Sequence, residues 1–116
     1  FKNSSLIFVT GFSRDKNVSE MVNLISEMDG IVITTESRHP RSLAFRDLAQ
    51  LFMESGMTQV YPLASVNEAV KEAIEFVSDD TVIVVTGSLF VAAEAREYIL
   101  DITPEIYPDL LPGNSI

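Results

Sequence analysis

Four short apolar runs, each closed by Thr or Pro and each followed by an apolar stripe at helical spacing, constrain this chain more than any other feature. They are Leu6 to Val9, Ile31 to Ile33, about Gln59 to Tyr61, and Val82 to Val85. An unbroken apolar run of this length is expected of a strand covered on both faces. The third run is the weakest and exits at Pro62, which cannot donate to a ladder, so it belongs toward a sheet edge. The fourth reads as a buried strand that ends at Thr86-Gly87, with a helix opening beside it after Ser88.

The intervening stripes carry their own start and stop signals. Asn17 with Glu20 three positions on predicts a cap for a helix bearing Val18, Met21, Val22, Ile25 and Met28, stopped at Asp29-Gly30. Ser42 is the expected cap of a second helix, with Phe45, Leu48, Ala49 and Phe52 facing inward and Gly56 ending it. Ser65 and Glu68 form the clearest capping box, ahead of Val66, Ala69, Val70, Ala73, Ile74 and Val77. The last helix is expected from about Ser88 to Leu100. Residues 101–116 hold Pro104, Pro108, Pro112 and Gly113 and read as an irregular tail, packed through Ile106, Tyr107 and Leu110.

Strand and helix thus alternate, which implies right-handed crossovers and a parallel sheet. The expected fold class is α/β: a Rossmann-like, doubly wound, mainly parallel sheet of about four strands, in the order 3-2-1-4, flanked by helices. In that order the segments Gly11 to Lys16, His39 to Arg41 and Gly87-Ser88 reach the same carboxyl edge of the sheet, where α/β proteins bind ligands.

With 116 residues the chain is expected to be a single domain, 1–116, burying roughly two-thirds of its unfolded surface. It has no Cys, so disulfides, thiolate nucleophiles and Cys-ligated zinc are excluded. No window has the pattern of a membrane span or a signal peptide, and a cytoplasmic location with no membrane partner is expected. The net charge of −9 speaks against nucleic acid as a partner, because neutralising phosphates takes clustered Lys and Arg. Of the 8 cationic residues, Arg14 and Lys16 share one loop and Arg38 and Arg41 another, and such concentration in an acidic chain points to an anion site. The bland alternative for Arg14 and Arg38 is that loops are solvated and collect charge.

Each candidate residue has two readings. Ser88 either caps its helix, at about 1 kcal/mol, or hydrogen-bonds a carboxylate or phosphate there. Arg41, stiffened by Pro40, either holds a carboxylate through two charge-assisted bonds or pairs with Glu36 or Asp47 on the surface. His39 reads most simply as a solvated loop histidine and makes no metal site alone. Asp15 and Lys16 either orient a ligand phosphate or start the first helix. There is no dinucleotide fingerprint and no GxxxxGK[ST] loop. The first strand ends in Thr10-Gly11 instead of the aspartate of a phospho-receiver domain.

Three segments, Val9 to Asn17 (VTGFSRDKN), His39 to Ser42 (HPRS) and Gly87 to Arg96 (GSLFVAAEAR), together resemble the C-terminal domain of folylpolyglutamate synthase, often bifunctional with dihydrofolate synthase, in the Mur ligase superfamily. The resemblance spans about Leu6 to Leu100. It implies an ATP-dependent ligase that joins a folate carboxylate to the amine of glutamate through an acyl phosphate, with Mg²⁺ shielding the charge. It also implies that Lys16, Arg41 and Ser88 line the face that closes on an N-terminal ATPase domain of the same chain, with His39 and Asp15 nearby. Related Mur ligases place the Arg of an Asn-Pro-Arg segment on the carboxylate of the incoming amino acid, and Arg41 occupies the comparable slot.

The family's phosphate loop and its Asp-Gly-Ala-His-Asn segment are not found in this sequence, and the chain opens at Phe1 without Met. The expectation is an excised, catalytically incompetent domain with no catalytic residue of its own, no metal ligands and no tightly bound cofactor, ATP and Mg²⁺ being used by the full-length parent. Two other readings stay open: a Mur-type ligase acting on a peptidoglycan precursor, and a stand-alone module that binds an anionic ligand without chemistry.

Overall fold

A computed structural model describes residues 5–15, 17–78 and 80–100, along which strands and helices alternate. In chain order they are β1 (Ser5–Gly11), α1 (Val18–Ser26), β2 (Gly30–Thr34), α2 (Phe45–Glu54), β3 (Val60–Pro62), α3 (Val66–Glu75), β4 (Thr81–Gly87) and α4 (Leu89–Leu100). The strands pair in parallel in the order β3-β2-β1-β4, as the alternation predicts. β1 is central, and its last turnings face matching partners: Thr10 pairs with Thr34 on one side and Thr86 on the other. Lys16 and the expected tail 101–116 lie outside the described residues.

The pleat sorts the apolar side chains into two layers, because successive residues of a strand point to opposite faces. Ile7, Val9 and Ile33 pack against Val66, Ala69, Val70 and Ala73 of α3 and Val91 and Ala95 of α4. On the other face Phe8 and Val32 meet Val22 and Ile25 of α1, Leu48 and Phe52 of α2, and Phe12 from the loop after β1. Small residues on α3 and α4 let those helices lie close to the sheet, whereas the α1/α2 layer is filled by aromatic rings.

Five local expectations change, the first being that α1 ends at Ser26 and leaves Met28 past its end, 49% exposed. The fourth strand, predicted to be buried, is half-buried from Thr81 to Thr86, because among the described residues β1 is its only strand neighbour. Ser42 does not cap α2: it sits in an antiparallel bridge with Ser13, and Glu36 instead accepts the Phe45 amide at 2.9 Å from the preceding loop. Asn17 satisfies no helix amide with its side chain, and its Nδ2 donates to Glu20 at 2.9 Å. In α3 the cap at Ser65 is as predicted, accepting the Glu68 amide at 3.2 Å. The inward stripe stops at Ala73, however, since Ile74 is turned about 100° away and is 50% exposed, and Val77 lies past the helix end.

Candidate functional site

The carboxyl ends of β1 and β4 set the first part of the site. Gly11 and Gly87 are paired across the sheet, and Gly87 has φ +118°, a conformation that disfavours any side chain. A Cβ on Gly87 would strike the Gly11 carbonyl, and one on Gly11 would come within 2.5 Å of the Thr35 carbonyl oxygen. This tight crossing lets the Ser88 amide donate to the Gly11 carbonyl at 2.8 Å. The Ser88 hydroxyl then accepts the Val91 amide at 3.1 Å, so Ser88 is the N-cap of α4.

The second part is a stitched pair of loops. Arg14 donates its amide to the Arg41 carbonyl at 2.9 Å, and Leu43 donates to the Phe12 carbonyl at 2.8 Å, on either side of the Ser13–Ser42 bridge. The loop after β1 and the loop after β2 thereby run side by side, which brings Asp15 to Arg41: Nη1 lies 2.9 Å from Oδ2. Their side chains are 62% and 67% exposed, so the pair contributes only about 0.2–1 kcal/mol to stability and leaves the guanidinium open to other anions. The sequence reading had Glu36 or Asp47 as surface partners of Arg41; the loop register supplies Asp15 in their place.

His39 joins these loops to α4. Its ring stacks on Phe90 with centroids 4.2 Å apart and planes 14° from parallel. Its Nδ1 accepts the Arg41 amide at 3.1 Å, which puts the neutral ring's proton on Nε2. The Ser37 hydroxyl accepts the His39 amide at 3.2 Å and meets the Ser42 hydroxyl at 2.7 Å, so the turn holding His39 and Arg41 is internally bonded.

Arg38 differs from the sequence expectation of a solvated loop cation. Its amide donates to Glu94 Oε2 at 2.8 Å, and its guanidinium lies 3.8 Å from Glu94 and 3.2 Å from Glu97. Both glutamates belong to α4 and are nearly fully buried. No sequence signal separates them from the other acids of an acidic chain. The one available hint is their i, i+3 spacing on the helix that follows the Ser88 cap.

Of the predicted site residues, Asp15, His39, Arg41 and Ser88 all stand at the carboxyl edge. Two clefts open there. One, of ≈ 480 Å³, is bounded by the loop carrying His39, the first turn of α3 at Ser65, and Glu94. The other, of ≈ 350 Å³, is mostly apolar and has Ser88 and Gly87 facing Phe12, Met21 and Leu24. His39 borders the first and Ser88 the second, while Arg41 and Asp15 line neither. Among the described residues no three His, Cys, Asp or Glu side chains are grouped to hold a metal ion, and no helix is long and apolar enough to cross a membrane.

Residues 1–89 match the family described as Mur ligase, glutamate ligase domain, which is well over half of the 116 residues. The chain belongs to this family. No curated protein sequence matches the chain. Among solved structures, this glutamate ligase domain superposes on E. coli FolC in complex with DHPP and ADP with a TM-score of 0.78 at 19% identity, covering 87% of this chain and 23% of that one. A bifunctional folylpolyglutamate synthase/dihydrofolate synthase from Yersinia pestis, complexed with AMPPNP and Mn ion, gives 0.70 at 18% identity, covering 84% and 22%. The Mycobacterium tuberculosis folylpolyglutamate synthase with ADP and AMPPCP gives 0.66 at 23% identity, covering 87% and 24%. At such identities the likeness is one of fold. The domain spans about a quarter of the length of these neighbours.

Proposed function

We propose that this chain is the C-terminal, substrate-closing domain of a cytoplasmic, ATP-dependent folylpolyglutamate synthase. The supporting observation is that separate strand ends deliver Asp15, His39, Arg41 and Ser88 to one edge of a glutamate ligase domain. In the parent enzyme the γ-phosphoryl group of ATP passes to a folate carboxylate, giving an acyl phosphate and ADP. The amine of glutamate then attacks the acyl carbon, the amide forms with loss of a proton, and phosphate departs.

Within that scheme the domain binds and orients the amino acid. Arg41 receives a carboxylate of the incoming glutamate, with Asp15 holding the guanidinium extended and His39 fixing the Arg41 backbone. Ser88 and the α4 N-terminus, where helix amides and dipole favour negative charge, give the substrate a second anchor, and Lys16, next to Asp15 in the sequence, is proposed as a further cation for the substrate. The phosphate loop and the Mg²⁺ ligands belong to the N-terminal ATPase domain of the same parent chain, and this domain closes over the nucleotide held there. The described residues offer no metal cluster, and the sequence has no phosphate loop. In this scheme the isolated domain is inactive without the ATPase domain of its parent.

The full-length parent, supplied with ATP, Mg²⁺ and labelled glutamate, should incorporate label into tetrahydrofolate. Dihydropteroate and a peptidoglycan precursor serve as competing acceptors. Label entering only the peptidoglycan precursor would replace folate by the Mur-type substrate; ATP-dependent labelling of no acceptor would contradict a ligase.

A further inference from the structure

Two carboxylates of α4 are almost removed from water, Glu94 at 2% and Glu97 at 5% exposure, although a buried carboxylate is costly unless paired and hydrogen-bonded. Arg38, which meets both of them, is itself 47% exposed. This arrangement ties the loop after β2 to α4. It is well suited to fixing a loop. The Arg38 backbone amide donates to Glu94 Oε2 at 2.8 Å, so the carboxylate holds the main chain of the turn as well as a side chain.

One residue further on, His39 stacks on Phe90 of the same helix, and its Nδ1 holds the Arg41 amide. Glu94 therefore sits two turns along the helix that Ser88 caps and grips the turn that carries Arg41. We propose that Glu94, with Glu97 through Arg38, is a positioning residue that sets Arg41 relative to Ser88 for the incoming amino acid. It touches neither reacting atom, and its effect passes through the backbone of Arg38, His39 and Arg41. This assignment rests on the ligase function proposed above, and its test separates the two.

In the full-length parent, Glu94→Leu should raise the KM for glutamate about tenfold, with the KM for ATP held within about twofold. The melting temperature should fall, because the Arg38 amide and guanidinium lose their acceptor on α4. Glu94→Gln keeps an acceptor for the Arg38 amide and should recover most of the glutamate KM, and Glu97→Gln should shift it less. An unchanged glutamate KM in Glu94→Leu overturns the proposal, as does a shift that Glu94→Gln fails to recover. If Glu94→Leu does not fold, the Glu94→Gln and Glu97→Gln pair decides through the same order of KM values. Should the wild-type parent ligate no acceptor, the proposed function falls, and amide hydrogen exchange in the 116-residue chain decides the positioning separately. Protection at Arg38 and Arg41 that is lost in Glu94→Leu supports the grip; protection that survives overturns it.

Discussion

The hydroxyl of Ser88 accepts the amide of Val91 at 3.1 Å. Ser88→Ala should lower the stability of the domain by about 1 kcal/mol, read as a fall in the denaturant midpoint with an unchanged slope. Thr10 behaves oppositely. Its hydroxyl and that of Thr35 are buried without a hydrogen-bond partner among the described residues. A buried, unpaired hydroxyl carries a desolvation cost, so the isosteric Thr10→Val should stabilise the domain by about 1 kcal/mol in the same denaturation experiment. A loss of stability there would mean that the hydroxyl has a partner in solution. At this scale the sequence was partly legible. The Ser88 cap and the carboxyl-edge placement of Asp15, His39 and Arg41 could be read from strand ends and Pro-Arg spacing. The Asp15–Arg41 pair, the Glu36 cap of α2 and the burial of Glu94 and Glu97 could not, because each depends on a contact between segments far apart in the chain.

The helices show how far periodicity carries. Leu48, Ala49 and Phe52 of α2 are buried as their spacing predicts, and Phe52 is fully enclosed among Phe8, Phe12, Val22 and Leu48. Phe52→Ala should cost about 3–5 kcal/mol in equilibrium unfolding, because the ring leaves a cavity between α1, α2 and the sheet. Ile74, placed on the inward stripe of α3 by sequence, is half exposed in the structure. Ile74→Ser should therefore change stability by only about 0.5 kcal/mol, and a cost of several times that would restore it to the core. The difference lies in the 100° step between Ala73 and Ile74, which a list of apolar positions does not resolve at a helix end. The strands were read best where they are central. β1 and β2 are buried runs flanked on both sides, whereas β4 is as apolar a run and is half-buried, since among the described residues it has a strand on one side only.

For the whole molecule, the order β3-β2-β1-β4 turns scattered motifs into one edge. The loops after β1 and β2 run side by side, α4 starts against Gly11, and the polar residues of each meet there. That edge also carries exposed apolar surface: Leu89, directly after Ser88, is 85% exposed, and Leu24 beside the Ser88 cleft is 52% exposed. In the function proposed above, this is the surface that closure on the parent's ATPase domain would cover. The central claim is that the edge receives the incoming amino acid through Arg41. Because Arg41 is 67% exposed and its ion pair with Asp15 adds little stability, Arg41→Ala separates binding from folding. The decisive measurement is steady-state kinetics of Arg41→Ala in the full-length parent with glutamate, folate and ATP varied in turn. Loss of a charge-assisted bond worth about 1.5–3 kcal/mol should raise the glutamate KM by tenfold or more, with the melting temperature and the KM for ATP unchanged. An unchanged glutamate KM would contradict the assignment of this edge to the amino acid.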